Sequence, residues 1–300
     1  MKDARLAAYS LGLAMVVTGL GATYGATLIL KSLGVQDIFT TVKLSDAMKV
    51  FVSFYLTGAV MSVGFSGSAL FMISKDRNKY AGWFGVLAAV STIATALVSP
   101  SYGVAIDMVG IVTLSFGALL CLLGGVLGLK APSTQPKEPL LSTMQIANSA
   151  ALSALTAIMT GIAFVPSPTG GFTHIGDTVI LIASLLFGSK VGAVTGVIGS
   201  VAADMWVGYP RWFVSIPAHG LEGLIAGLGK GKSTSVQLGL CILGGIVMAS
   251  VYFYVNIFIK GWALAVISYG RDLFLQAGIS IVLAVILTRT LQRVLPRFKA

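Results

Sequence analysis

Charge is missing from this chain over stretches as long as a bilayer is thick. No Asp, Glu, Lys or Arg interrupts positions 6–30, 50–74 or 108–129, and about 20 apolar residues in a helix cross a hydrocarbon core of roughly 30 Å. Within that core each backbone amide must be satisfied inside its own segment or by a closed barrel. Continuous apolar runs, without the alternation of a barrel strand, select the helix. Of 300 residues, 56% are hydrophobic and 10% charged, and the mean hydropathy is +0.92, well beyond what a soluble core needs. These observations predict an all-α, polytopic protein of the cell (plasma) membrane, with the lipid bilayer as its solvent.

Apolar segments fall near 6–30, 47–73, 81–98 and 104–129, then near 142–164, 175–187, 191–207, 213–229, 236–258 and 270–294. That makes about ten transmembrane helices, four plus six. The break is KAPSTQPKEP, where three prolines and polar residues stop any helix. It divides the chain into a four-helix membrane module (1–133), a linker (134–141) and a six-helix domain (142–300). The basic start precedes an apolar run too long for a signal peptide, so the first segment reads as a retained span. With the N-terminus inside, only Lys31, Lys43, Lys49, Arg211, Lys260 and Arg271 of the 20 basic residues fall on the outer side. Lys and Arg of short loops stay cytoplasmic, so both termini are expected there. The formal charge of +10 therefore expresses topology and lipid contact, and its dispersal among loops argues against nucleic acid. Cys121 and Cys241 sit in apolar runs and read as small hydrophobes.

The stretch 174–229 places Asp177, Asp204 and Glu222 among closely spaced glycines in an apolar background. A charged residue at the centre of a span costs roughly 2.5–3.5 kcal/mol on insertion scales, so each needs a partner, water or a task. Gly176-Asp177 heads one segment, LLFGSKVGAVTGVIGSVAADMWVGYP runs through the next, and HGLEGLIAGL follows. This order resembles the substrate-binding S component of energy-coupling factor (ECF) transporters. There an acidic residue after glycine, a G-(P/S)-K/R-x-G turn, an alanine-aspartate pair, a G-Y-P turn and a (K/H)-G-x-E-G helix recur in sequence. The resemblance covers about half the chain, from Ser142 onward. It implies a six-helix subunit that captures a water-soluble vitamin or precursor and hands it inward within a complex of an ECF T component and two ABC-type ATPases.

Site expectations follow from the resemblance and from position. In IANSAALSALTAI, Ala147 and Ala151, and Ala150 and Ala154, stand four apart and make a smooth stripe for another helix; the family uses such a stripe to dock the T component, and intramolecular packing is the alternative. FVPSPTGGFTHIGD forms the first outer loop, a lid in the family, which nominates Phe172 and His174. The outer ends of the later segments add Trp206, Tyr209, His219, Glu222, Tyr252, Asn256, Arg271, Asp272 and Gln276. Aromatic faces would stack on a ring while amides and charges fix its polar edge. For Trp206 and Tyr252 the interfacial aromatic belt competes. Asp177 can equally cap its helix, His219 and Glu222 can pair on one face, and Asp204 can bridge to Arg211 or Arg271.

Other chemistries find little support. AGLGKGKST around Lys232 imitates a phosphate loop, but Ala226 stands where the first glycine belongs and no strand precedes it. Metal binding would need more than His174 and His219, which lie on separate elements, and the Met-His start of the nickel and cobalt S components is absent. Neither HExxH nor GxSxG occurs, so no enzyme and no cofactor is expected. A self-sufficient permease coupled to protons or ions through Asp107, Asp177, Asp204 or Glu222 is the runner-up function. A membrane scaffold without solute is the third.

Overall fold

Residues 2–35, 37, 42–75, 77–98, 108–132 and 141–294 are described by a computed structural model. Asp107 and most of the expected linker lie outside these residues. The contacts of the described chain fall into two compact units, the first four helices and the remainder.

The first unit comprises α1 (Lys2–Ser32), α2 (Asp46–Ser74), α3 (Asn78–Val98) and α4 (Met108–Lys130). Each helix packs on its sequence neighbours and α4 closes on α1. The Ser45 hydroxyl caps α2 by accepting from the Met48 amide at 3.3 Å. Small residues let α3 and α4 touch backbone to backbone, since a Cβ on Gly85 would lie 2.7 Å from the Gly125 Cα. The buried polar groups of this unit are hydroxyls and Asn78, with Ser62 and Thr92 bonded at 2.7 Å. No Asp, Glu, Lys or Arg is buried among its described residues.

The second unit comprises α5 (Thr143–Ile162), a hairpin of β1 (Val165–Pro166) and β2 (Phe172–Thr173), α6 (Asp177–Phe187), α7 (Ser189–Trp206), α8 (Trp212–Ala226), α9 (Thr234–Lys260), α10 (Trp262–Arg271), a π-helical segment (Asp272–Gly278) and α11 (Ile279–Val294). Helices α10 and α11 continue one another through the π segment, so ten helices in all stand among the described residues. Six are long and apolar enough to span a membrane, and the protein is a multi-pass, all-α membrane protein. Helix α6 is too short to span by itself. It packs against α5, α7, α8 and α11, and nearly its whole surface is buried, which is the setting where a short segment is tolerated.

One boundary departs from the sequence expectation. The last helix starts at Trp262 rather than near residue 270, because Gly261 (φ 83°) turns the chain directly out of α9. A side chain is disfavoured at that φ, so glycine alone supplies the turn without strain. The first loop closes on itself as an antiparallel hairpin, Val165 pairing with Thr173 and Pro166 with Phe172.

Crossing of α7 and α8 is set by glycines on both helices. A Cβ on Gly196 would lie 2.2 Å from the His219 carbonyl oxygen, and one on Gly223 would lie 2.2 Å from that of Gly192. Gly196→Ala should therefore force the helices apart, at about 1–3 kcal/mol. Gly239→Ala, with nothing within 4 Å of the new methyl, should be neutral or stabilising. Thermal unfolding of the two variants in detergent distinguishes them.

Candidate substrate-binding site

Three buried ionisable residues of the second unit, Asp177, His219 and Glu222, converge where α6 meets α8. Asp177 is the acidic residue in the first turn of α6, as the dipole reading expected, while the cap position itself is Gly176, which has no side chain to bond. The Asp177 carboxylate reaches across the bundle: Oδ2 accepts from Gln276 Nε2 at 2.9 Å, and Oδ1 lies 3.2 Å from His219 Nδ1. His219 sits one helical turn before Glu222, and its Nδ1 is also 3.0 Å from Glu222 Oε2. Asp177 and Glu222 are fully buried and His219 is 1% exposed, so one imidazole serves two carboxylates out of reach of water.

From His219 a chain of hydrogen bonds leads toward the loop end of the bundle. Its Nε2 is 3.3 Å from the Tyr252 hydroxyl, which bonds Ser215 at 2.6 Å. Ser215 gives its own proton to Asp204 Oδ2 at 2.5 Å. The expected bridge from Asp204 to an arginine does not form: Ser215 satisfies it, and Arg271 pairs with Asp272 at 2.6 Å. Arg211 instead lies over the Tyr209 ring, 5.1 Å from its centroid.

Above this network the hairpin forms the wall of a cavity. Phe172 packs edge-on to Tyr209 with centroids 5.4 Å apart and lies 5.4 Å from His174. Lys260 Nζ donates to the Gly170 carbonyl at 3.1 Å, and Arg271 Nη1 to the same oxygen at 3.4 Å, fastening the turn. Burial, only partly offset by Asp177, pushes the His174 imidazole down to about 4, so it is neutral at physiological pH. The cavity is lined by Gly170, Gly171, Phe172, His174, Asp204, Tyr209, Tyr252, Asn256, Lys260, Arg271, Asp272 and Gln276. Its volume is about 30 Å³, room for no more than a few waters, against roughly 300–1,000 Å³ for an ordinary ligand pocket. The cavity as it stands does not hold a vitamin-sized solute.

The structure brings Phe172, His174, Tyr209, Tyr252, Asn256, Arg271, Asp272 and Gln276 together on one cavity. His219 and Glu222 lie beneath it, joined through Tyr252. Trp206 stands apart, 61% exposed, against the Gly161 backbone. Asp204 and Lys260 line the cavity although sequence position did not nominate them; a lysine closing the apolar run of α9 just before a glycine was the available signal for Lys260. The π segment turns Asp272 and Gln276 inward, both buried, and such bulges recur at functional positions. Ala147, Ala150, Ala151 and Ala154 are exposed on α5, while Ser149, Ser153, Thr156 and Thr160 form its buried face.

Removing one partner of a buried ion pair strands the other, at about 3–5 kcal/mol. His219→Ala, which leaves Asp177 and Glu222 without their shared cation, should lower the melting temperature far more than Trp206→Ala. A thermal-shift assay in detergent compares them.

Residues 140–293 match the family model described as ECF-type riboflavin transporter, S component. The thiamine precursor transporter HmpT of Lactococcus lactis subsp. cremoris (strain MG1363) is 29% identical over 149 residues, 46% of this chain and 86% of that protein. An uncharacterized protein of Pyrococcus woesei, described as in a gap 3'region, is 35% identical over 113 residues, 36% of this chain and 76% of its own length. The matched region contains the buried Asp177–His219–Glu222 cluster and the cavity above it, and with it the chain belongs to the family of ECF-type riboflavin transporter S components.

Proposed function

We propose that this chain captures a small, ring-bearing vitamin or vitamin precursor at the outer face and delivers it inward together with an ECF T component and two ABC-type ATPases. The observation that carries this reading is the cavity. Phe172, Tyr209 and Tyr252 offer ring faces, and Asn256, Gln276, Asp204 and Asp272 offer a polar edge from two different helices and the π segment. Such a combination of apolar walls and a few convergent polar groups orients a heteroaromatic solute. The hairpin carrying Phe172 and His174 acts as the lid, held shut by Lys260 and Arg271. Delivery needs energy from outside the chain, and the exposed alanines of α5 offer the docking stripe for the T component.

Riboflavin and thiamine precursors are the ligands to test, the first from the description of the family and the second from the name of a relative. Calorimetry on purified protein should find one of them binding with 1:1 stoichiometry. A lost buried hydrogen bond costs about 1–3 kcal/mol, so Asn256→Ala and Gln276→Ala should weaken binding by roughly 5- to 150-fold. Failure of every ring-bearing vitamin to bind overturns the substrate class.

The partner assignment has its own test. Co-expression with a T component and its ATPases should yield ATP-dependent uptake, and Ala151→Trp should abolish co-purification of the T component while leaving ligand binding intact. Proton-driven uptake by the purified chain alone would overturn it and favour a self-sufficient permease.

A further inference from the structure

Beneath the cavity, two carboxylates are buried with fewer hydrogen bonds than they can accept. Glu222 Oε1 has no hydrogen-bond donor among the described residues, and Asp177 Oδ1 has only the His219 imidazole at 3.2 Å, which it shares with Glu222, although buried acceptors are nearly always satisfied. Two imidazoles share the same space: His174 and His219 have ring centroids 5.8 Å apart. We propose that His174, Asp177, His219 and Glu222 form a binding site for a divalent transition-metal cation of the zinc class, set in the floor of the cavity.

The spacing fits such an ion. One ligand atom each from His174, Asp177 and His219 lie within 4.8 Å of one another. The measured edges are 3.2 Å from His219 Nδ1 to Asp177 Oδ1, 3.0 Å from His219 Nδ1 to Glu222 Oε2, and 3.9 Å from His174 Nδ1 to Asp177 Oδ1. Four ligands placed tetrahedrally at zinc's bond lengths of about 2.0–2.2 Å are separated by about 3.3–3.6 Å. The three edges stated lie within a few tenths of an ångström of that spacing; His174, Asp177 and His219 form the compact set, and Glu222 completes it by turning its carboxylate from His219 toward the ion. Binding exchanges the 3.2 Å bond from the Gly176 amide to His174 Nδ1 for a metal bond.

The surroundings are those that orient metal ligands. Gln276 Nε2 holds the far oxygen of Asp177, and the Tyr252 hydroxyl faces His219 Nε2, leaving Nδ1 for the cation. The ion takes the place of the His219 Nδ1 proton, which is released to solvent on binding; two carboxylates and two neutral imidazoles around a divalent cation then sum to zero charge, which removes the cost of an uncompensated buried anion. His174 lines the cavity, so the ion has a path inward. Once bound it ties the lid hairpin, through His174, to α6 and α8. It thereby holds Phe172 in position over the cavity.

The inference is tested without any vitamin, so its outcome is independent of the transport reading. Full-length protein carrying a tag free of histidine is stripped with a chelator and titrated with Zn²⁺ by calorimetry and with Co²⁺ by visible absorption. One equivalent of Zn²⁺ is expected, together with the intense d–d bands of four-coordinate Co²⁺, which Zn²⁺ displaces. His174→Gln alters only the loop ligand and should weaken binding at least tenfold even if His219 or Glu222 variants fail to fold. Gln276→Ala should weaken it about 10- to 100-fold. No stoichiometric metal in the stripped wild type, or metal bound equally well by His174→Gln, overturns the proposal.

Discussion

His219 sits between Asp177 and Glu222, and the six-helix unit is arranged so that this contact can exist. Three ionisable groups are removed from water, where an isolated charge is destabilising, so they must be delivered to one another within about 3 Å. The central helix α6 provides Asp177, α8 provides His219 and Glu222, and the π segment provides the Gln276 amide that holds the second oxygen of Asp177. Breaking the register of any of these elements strands a buried charge. The contact thus specifies the assembly more sharply than apolar packing, which tolerates exchange of one aliphatic side chain for another.

Glycine makes that delivery sterically possible. At the α7–α8 crossing, Gly196 lies against the backbone of His219 itself, and Gly192 and Gly223 face each other. Helix α8 is thereby pressed to its neighbour at the very residue whose imidazole joins the two acids. The polar chain then continues from His219 through Tyr252 and Ser215 to Asp204, which borders the cavity. A change at the cavity wall is consequently mechanically continuous with the buried cluster. The hairpin joins in through His174, which touches both.

Much of this was legible in the sequence. The charge-free runs announce membrane helices, and the ordered motifs from Gly176 to Gly223 announce the S-component unit. Less legible were the partners of individual polar groups. Asp177 reads as a helix cap because local spacing sees only its own helix; in space it finds a histidine 42 positions later. Residues 259–269 read as a loop between two spans, whereas Lys260 ends α9 and Arg271 ends α10, and their side chains fasten the 169–171 turn. Trp206, nominated for its place beside the G-Y-P turn, turns outward, because the period of α7 points it to the α5 side and away from the cavity.

The sequence by itself determined the solvent of this protein, its helical class and its family, because hydrocarbon imposes a length and an apolarity that each segment must meet alone. Which polar atoms meet was decided only by the tertiary structure. His174 and His219 lie on separate elements, yet their rings stand 5.8 Å apart beside Asp177. The physical reason is that helix crossings, a one-residue turn at Gly261 and a π bulge set distances that no sequence spacing encodes. A buried charge is satisfied by whatever those distances bring within about 3 Å.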